Sequence, residues 1–569
     1  MHSLQRKLWR EIWHIRGQVL AIMLVICGGV AVCIMSLSTY DSLLQTRDDY
    51  YRDYAFADLF VDLKRAPQSL LPRLAAIDGV HSAETRIISR VNLQLAGFDE
   101  PVSGLVVSIP DHGQPRLNRL HLVSGRLPDS RRDNEVLISD AFAGAHRLQP
   151  GDAISAIIHG RYRELRIVGI ALAPDYVYQI APGAVMPDYQ RFAVLWMAET
   201  PLAAAAGMQG AFNHAIVKLQ GGADGQAVMA AIDRLLARYG SLGAYDRSEQ
   251  YSNQFLQEEF KQLRTTAILM PLIFLSVAVF LINVVVSRLI STQRDIIAIL
   301  KAFGYSNAEV AWHYAQLVLF ITLLGIASGT VLGMYLGQLM TGLYTDYYRF
   351  PTLLYTLNPL VFITVALVCC LAALAGCLQS VLKAARLPPA EAMRPEAPAR
   401  YRQSRLEKNL LQRWLSPGER MVLRHLAFKP VKTLLALLGL AMATAIMMVG
   451  NFQKDAVLLM MHAQFQLSQR QDIEVQLYEP VASGSLGSFR AIDGVQYVEG
   501  SRSAPVRLHH ANRSYRTVIQ GIAADSELLR VLDTDLQAIR LPDNGLLLTD
   551  HLATKLQLAV GDSVDVEFL

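Results

Sequence analysis

Cysteine is scarce in this sequence, and its placement excludes the usual uses of the residue. Five cysteines occur among 569 residues, and all of them fall inside long apolar runs. They are Cys27, Cys33, Cys369, Cys370 and Cys377. None is placed to cross-link a polar domain, so we expect neither a disulfide framework nor a cysteine zinc site.

Strong charge of one sign and a phosphate-binding loop are also missing. The formal net charge is only +4, and the basic residues gather in a few short loops, which argues against a nucleic-acid partner. No lysine follows a glycine anywhere in the chain. The motif Gly-x-x-x-x-Gly-Lys-Ser/Thr therefore cannot occur, and any ATP hydrolysis must be carried out by another subunit.

Catalytic patterns are equally sparse. His159, His509 and His510 have no Asp or Glu at the spacing of a zinc site, and we interpret them as surface residues. Ser485 lies in "GSLGSF", which lacks the Gly-x-Ser-x-Gly of a nucleophile elbow. The cores of the apolar runs carry no Asp, Glu, Lys or Arg, so the sequence does not indicate an ion path. We predict no catalytic residue and no metal site.

Long apolar runs are what the sequence does contain. Hydrophobic residues make up 52% of the chain and charged residues 18%. Runs of about 20 apolar residues are long enough to span a bilayer. We predict spans at 19–37, 267–286, 315–340, 359–382 and, shorter but flanked by lysines, 433–449. A cleaved signal peptide is the alternative for the first run, but the run is long and no small-x-small cleavage site follows it.

Loop charges predict the orientation of these spans. The N-terminal segment, the 287–313 loop and the 386–432 loop are basic, and the last contains ten Arg or Lys residues between Arg386 and Lys429. The 341–357 loop is instead rich in tyrosine, which is typical of an outer interfacial belt. We therefore predict a multi-pass protein of the inner (cytoplasmic) membrane with a cytoplasmic N-terminus.

Residues 38–264 are too polar to span a membrane. They contain alternating stretches such as "ETRIISRVNLQL" and "YRELRIVGIAL", which predict strands, and "AVMAAIDRLLARYG", which predicts a helix. The last part, "NQFLQEEFKQLR", predicts a stalk helix that continues into the second span. We predict an α+β ectodomain on the outer side.

An internal repeat organises the chain. "DLFVDLKRA" at 58–66 recurs as "DIEVQLYEP" at 472–480, and "AAIDGV" at 75–80 recurs as "RAIDGV" at 490–495. "DAFAGAHRLQPGD" at 140–152 recurs as "DHLATKLQLAVGD" at 550–562. The predicted fold is thus a membrane α-helical four-span unit plus the start of a second, with α+β ectodomains, and we expect a longer polypeptide to supply the second set of three spans.

The predicted parts follow from the spans and the repeat. They are a cytoplasmic N-terminus (1–18), a first span (19–37), a first ectodomain with stalk (38–264), a three-span unit (265–385) with a cytoplasmic hairpin (288–313), a cytoplasmic linker (386–432), a fifth span (433–452) and an incomplete second ectodomain (453–569).

The hairpin between the second and third spans has the pattern of a short amphipathic helix. Ile296, Leu300 and Phe303 recur at i, i+4 and i+7. Gly304 is placed for a left-handed cap, and Ser306 with Glu309 for a capping box. A plain connecting loop is the alternative, but an apolar face predicts a docking site. The candidate partner-binding residues are Arg294, Ile296, Ile297, Leu300, Lys301, Phe303 and Gly304.

Glycine recurs every four residues in the third span, at Gly325, Gly329, Gly333 and Gly337. A face of small residues lets helix backbones approach closely in lipid. General glycine enrichment of membrane helices is the alternative. We predict a helix-packing face, with a partner that the sequence does not identify.

The layout resembles the FtsX/MacB-type ABC transporter permeases, a group that includes the lipoprotein-releasing LolC and LolE subunits, and in particular its duplicated branch. The resemblance is carried by "RDIIAILKAFGYSNAEV", by "ARLPPAEAMRPE" at 385–396 and by "GRLPDSRRDNEVLISDAFAGAHRLQPGD". It implies that the hairpin docks on a separate ATP-binding subunit, present as a pair, which holds ATP and magnesium. It also implies mechanical work on the far side of the membrane, with a periplasmic adaptor and membrane lipids as further partners.

Two functions stay open at this point. One is the permease subunit of an ATP-driven exporter or extractor of hydrophobic, lipid-like cargo. The other is a signal transmitter that controls an envelope enzyme or reports a stimulus without transporting anything.

Overall fold

The computed structural model describes residues 3–184, 186–353, 355–356, 358–385, 416, 418, 421–422, 430–477 and 479–569. Most of the predicted cytoplasmic linker lies outside the described residues. The chain forms two compact units, a helical unit (Met1–Asp53 with Gln254–Val449) and an ectodomain unit (Tyr54–Asn253 with Gly450–Leu569).

The α-helices are numbered along the described residues. They are α1 (Ser3–His14), α2 (Arg16–Asp53), α3 (Leu71–Ala75), α4 (Asp140–His146), α5 (Glu199–Ala206), α6 (Gly225–Leu236), α7 (Tyr251–Thr292), α8 (Arg294–Ala302), α9 (Asn307–Tyr347), α10 (Pro359–Ala385), α11 (Pro430–His462), α12 (Leu486–Arg490) and α13 (Asp550–Leu556).

The strands belong to the ectodomain unit. They are β1 (Leu59–Pro67), β2 (Val80–Arg86), β3 (Ile88–Leu95), β4 (Phe98–Ile109), β5 (His121–Gly125), β6 (Glu135–Ser139), β7 (Ala153–Ile158), β8 (Arg161–Leu172), β9 (Phe192–Ala198), β10 (Ala211–Leu219), β11 (Ser241–Asp246), β12 (Arg502–His510), β13 (Arg513–Gly521) and β14 (Asp565–Phe568).

Five helical segments of the described chain are long and apolar enough to cross a membrane. They are Arg16–Asp53, Tyr251–Thr292, Asn307–Tyr347, Pro359–Leu378 and Leu437–Ser468. The helices extend beyond the apolar runs. Residues 38–53, assigned above to the ectodomain, continue α2, because they contain no glycine or proline that would end a helix. Loss of apolar character ends a bilayer span without ending the helix.

The helical unit contains a large buried apolar cluster. Ile26 and Val30 of α2, Ile282 of α7 and Leu317 and Ile321 of α9 are buried in one cluster. In lipid the hydrophobic effect does not drive helices to associate, so such a cluster is stabilised by close packing of its side chains.

The first sheet of the ectodomain unit is antiparallel with the strand order β11-β1-β10-β2. Helix α6 covers it, and Leu59, Val61, Phe212 and Ile232 form its core. Here the predicted helix at 227–240 is present as α6, which ends at Leu236.

The second sheet has seven strands in the order β5-β8-β6-β9-β4-β3-β7, with a further β7–β8 pairing. It is mixed, because β4–β9 and β6–β8 are parallel pairs. The predicted strand at 84–95 is divided at Ile87 into β2 of the first sheet and β3 of the second. The mixture of sheets and covering helices confirms the predicted α+β class.

The repeated sequences have the same local geometry. Helices α4 and α13 both end at a left-handed residue with φ 55°, Arg147 and Gln557. The carboxylates of Asp152 and Asp562 each accept a backbone N–H three residues earlier, both at 2.8 Å. The sheet order β13-β12-β14 in the second repeat also matches β4-β3-β7 in the first.

Candidate coupling site

The candidate coupling site is α8, which follows α7 after a single residue. Gln293 separates the two helices with φ −101° and ψ 17°, outside helical geometry. Its side-chain oxygen accepts a hydrogen bond from the Tyr314 hydroxyl of α9 at 3.2 Å. The start of α8 is thereby tied to the helix that leaves the hairpin.

The end of α8 is closed by Gly304, whose φ is +93°. The Gly304 N–H donates to the Lys301 carbonyl at 3.0 Å, and the Tyr305 N–H donates to the Leu300 carbonyl at 3.2 Å. This pair of bonds is the Schellman arrangement, which requires a left-handed residue at this position. Glycine adopts that conformation without the steric cost that a Cβ atom brings.

A capping box starts α9 directly after this turn. The Ser306 hydroxyl accepts from the Glu309 N–H at 3.2 Å, and the Glu309 carboxylate accepts from the Ser306 N–H at 2.8 Å. Tyr305 and Val310, on either side of the cap, both pack into the apolar cluster of the helical unit. The hairpin is therefore fixed by hydrogen bonds at each of its turns.

The apolar residues of α8 divide into two groups. Ile297 and Ala298 are buried among the membrane helices, with Ile297 in the apolar cluster of the helical unit. Ile296, Ile299 and Phe303 are exposed by 43%, 46% and 81%. They recur at i, i+3 and i+7 and form one face, which we call the α8 apolar face.

One prediction about this helix needs correction. Ile297 was predicted to bind a partner, but it is buried inside the helical unit and not accessible to one. Leu300 is half-buried, at the border between the two groups. Apolar spacing defines which residues share a face, but not which of two apolar faces packs against the rest of the chain.

Charged residues flank the α8 apolar face. Arg294 and Lys301 are half-buried and Asp295 is exposed. Asp295 lies in the first turn and Lys301 in the last turn, so each charge complements the nearer end of the helix dipole. The face itself remains apolar.

A buried polar cluster next to the hairpin was not found from the sequence. Glu11 of α1 lies 3.1 Å from Lys7 and 3.1 Å from Nε2 of His313 in α9. Although burial raises the pKa of the Glu11 carboxyl, the hydrogen bond with His313 and the charge of Lys7 bring it below its ordinary value. The amphipathic pattern of α1 was the only feature of the sequence that could have indicated this cluster. His313 is a single histidine just before the third span, and no pattern in the sequence connects it to Glu11.

The predicted glycine face of α9 lies against two parts of the helical unit. A Cβ atom at Gly325, Gly329 or Gly333 would lie within 2.8 to 2.9 Å of atoms in α2. A Cβ atom at Gly337 would instead lie 2.6 Å from the Tyr355 ring. The first three glycines therefore allow close contact between α2 and α9.

No group of three or more His, Cys, Asp or Glu residues that could hold a metal ion occurs in the described part of the chain. His509 pairs with Glu567 at 3.0 Å, and His510 bonds the Leu556 carbonyl.

The α8 hairpin offers a binding face and a rigid link to the membrane helices.

Comparison with known proteins gives two family matches. The FtsX-like permease C-terminal domain matches residues 268–389, which contain α8, α9 and α10. The MacB-like periplasmic core domain matches residues 19–235. No curated protein matches the chain.

Solved structures resemble parts of the chain. The extracellular domain of the noncanonical ABC-type transporter YknZ from Gram-positive bacteria is 12% identical, covering 32% of this chain and 97% of that one, with a TM-score of 0.23. The periplasmic region of MacB from Actinobacillus actinomycetemcomitans is 11% identical to this chain. The match covers 37% of this chain and 95% of the MacB region, also with a TM-score of 0.23. These values are too low to carry an argument.

The two family matches lie on different parts of the chain and together cover most of both units. The membrane helices and the α+β ectodomain occur in the order that the two domains require. Such a chain is a multi-pass permease component, and members of this family work with ATP-binding subunits. The chain therefore carries the two domains of the FtsX/MacB-type ABC transporter permeases.

Proposed function

We propose that this permease subunit works by mechanotransmission, and that it exports or extracts hydrophobic, lipid-like cargo in the cell envelope. The observation that carries the proposal is the α8 apolar face. Three large apolar side chains stay exposed on a helix whose turns are fixed by hydrogen bonds. Amphipathic helices with anchors at i, i+3 and i+7 bind hydrophobic grooves of partner proteins.

The proposed partner is an ABC ATP-binding subunit, acting as a pair that holds ATP and magnesium. The basic loops support a cytoplasmic position for α8 and an inner-membrane location for the chain. Closure of the ATP-binding pair would move α8, and the buried Ile297 would carry that movement into the helical unit. A periplasmic adaptor and membrane lipids are the further partners that we propose.

Docking is tested by placing a charge on the α8 apolar face. Ile299→Asp buries an unpaired carboxylate at the contact, which costs several kcal/mol, so pull-down of the proposed ATP-binding subunit falls at least about tenfold. Ala308→Asp is the matched control, because it adds the same charge to an exposed site in the first turn of α9. Equal pull-down by both variants would contradict docking through α8.

Cargo is tested separately on the purified complex of both subunits. ATP hydrolysis that rises with added lipid or lipoprotein supports transport of hydrophobic cargo. Hydrolysis that responds only to a second envelope protein would indicate a signal transmitter, while leaving the docking of α8 intact.

A further inference from the structure

A cavity lies where the chain passes from the first sheet of the ectodomain unit to the second. Strand β2 ends at Arg86 in the first sheet, and β3 begins at Ile88 in the second. The cavity has a volume of about 330 Å³, at the lower end of the range for small-molecule sites, and such sites often occur at junctions of this kind. Both sheets and the loop after β4 contribute to its walls, which include Leu71, Glu84, Val107, Leu120, Trp196 and Glu199.

The floor of the cavity is apolar and well packed. Val107 of β4, Leu120 of the following loop and Trp196 of β9 line it, and each is at most 5% exposed. All three belong to one buried apolar cluster. The Trp196 ring also meets Tyr176 edge to face, with 6.3 Å between the ring centres. Because the core holds these side chains, the cavity is preformed, and the apolar part of a ligand would bury its surface against them.

A carboxylate without a counter-ion lies on the wall of the cavity. Glu199, the first residue of α5, is half-buried, and its carboxylate accepts a hydrogen bond from the Gln68 side-chain amide. The Gln68 side-chain oxygen accepts in turn from the Thr85 hydroxyl at 2.8 Å, which orients the amide. Burial, together with the nearby charge of Asp111, raises the pKa of Glu199. No cationic side chain among the described residues lies within ion-pair distance of this carboxylate.

A second carboxylate on the wall is held by the backbone. Glu84 accepts hydrogen bonds from the N–H groups of Arg116 and Leu117, at 2.7 and 3.1 Å. Arg86 also lines the cavity, but its guanidinium makes two hydrogen bonds to the Asp175 carboxylate, at 3.1 and 3.2 Å. The charge of Arg86 is therefore already neutralised, and the two carboxylates of the wall leave the cavity with an excess of negative charge.

We propose that this cavity binds a small organic cation, a molecule that carries a protonated amine on an apolar body. The amine pairs with Glu199, and the apolar body fills the space beside Leu71, Val107 and Trp196. An anion of the same size would be repelled by both carboxylates, and a neutral molecule would leave Glu199 without a counter-ion while excluding water from it. The proposal does not depend on the docking of α8 or on the identity of the cargo.

Ligand-observed NMR titration of the full chain in maltoside detergent tests the site. The probes are phenethylamine and tryptamine, which are protonated at neutral pH, and 3-phenylpropionate and indole-3-propionate, which carry the same rings on a carboxylate. Both amines should bind saturably, at least about tenfold more tightly than the matched carboxylates. Glu199→Gln keeps the size of the side chain and removes its charge, so it should weaken amine binding about tenfold. Glu164→Gln, which removes the same charge from an exposed site outside the cavity, should leave binding unchanged.

Filling the cavity tests the location of the site independently of charge. Leu71→Trp places a larger side chain at the half-buried wall and leaves both carboxylates in place. It should weaken the binding of tryptamine severalfold, and that of the smaller phenethylamine less. Cooperative thermal unfolding of each variant confirms that it is folded. Absence of saturable amine binding to the parent chain, equal binding by the parent and Glu199→Gln, or unchanged tryptamine binding in Leu71→Trp would each overturn the proposal.

Discussion

Nε2 of His313 lies 3.1 Å from Oε2 of Glu11, and both side chains are buried. Glu11 belongs to α1 and His313 to the first two turns of α9. The pair therefore fastens the N-terminal helix beside the turn that carries the candidate coupling site. Burial without a partner would be unfavourable for either group, so each one depends on the other.

Glu11→Ala should release α1 from α9. Removing one member of a buried ionic pair costs roughly 3 to 5 kcal/mol, because the other member stays buried without compensation. Hydrogen exchange of the α1 amides should accelerate, whereas exposed Arg10→Ala should leave it unchanged. Because folding lowers the pKa of Glu11, the carboxylate contributes to the stability of the fold above its pKa in the unfolded chain. This contribution is lost as the pH falls through its pKa in the folded state. Unchanged exchange in Glu11→Ala would show that the pair does not hold α1.

Gly333→Leu should separate α2 from α9. A Cβ atom there would lie 2.9 Å from the Ala31 carbonyl oxygen, so backbone must move. Overpacking of this kind costs about 1 to 3 kcal/mol. Thermal unfolding in detergent should shift to lower temperature, and recovery of the complex should fall. Gly342→Leu is the control, because a Cβ atom at Gly342 meets nothing within 4 Å; equal shifts in both variants would contradict the packing role.

Gly304→Val should uncouple docking from movement. Its φ of +93° would strain a β-branched residue by roughly 1 to 2 kcal/mol, while the α8 apolar face keeps its side chains. Pull-down of the ATP-binding subunit should persist, and stimulated ATP hydrolysis should fall. Gly304→Asn should behave more like the parent, since asparagine tolerates left-handed geometry. Full stimulation in the valine variant would mean that the turn need not be rigid.

His214 of β10 should make the first sheet sensitive to mild acid. Burial, with the nearby charge of Arg86, lowers the pKa of His214 to about 4. The folded state keeps this ring neutral while the unfolded chain protonates near pH 6.5, so stability falls as the pH drops from about 6.5 to 4, by roughly 3 kcal/mol in all. Pulse proteolysis of the ectodomain at pH 7 and pH 5 measures the loss. His214→Gln, which cannot titrate, should show a smaller difference; an equal difference would assign the effect to other groups.

Local features of the coupling hairpin were predictable because they depend on residues close in sequence. Gly304, Ser306 and Glu309 specify a left-handed stop and a capping box through hydrogen bonds that reach no further than five residues. Long apolar runs likewise specified where helices form. The ends of those helices were not predictable from polarity, as the continuation of α2 to Asp53 shows.

Contacts between distant residues could not be predicted in the same way. Ile297 and Ile299 have the same side chain, yet the first is buried and the second exposed, because only packing against α9 and α7 decides which face of α8 points inward. Glu11 and His313 are 302 residues apart, and no local pattern links them.

The sequence by itself determined the membrane helices, the α+β ectodomain and the repeat, since periodicity, composition and internal similarity are properties of the chain alone. Tertiary structure decided that Gly325, Gly329 and Gly333 pack against α2, and that Arg507 and Arg516 meet Asp233 and Asp62. A glycine in the sequence indicates only that a close neighbour is possible, and an arginine only that an anionic neighbour is favourable. The residue that actually lies next to it is determined by the tertiary fold of the whole chain.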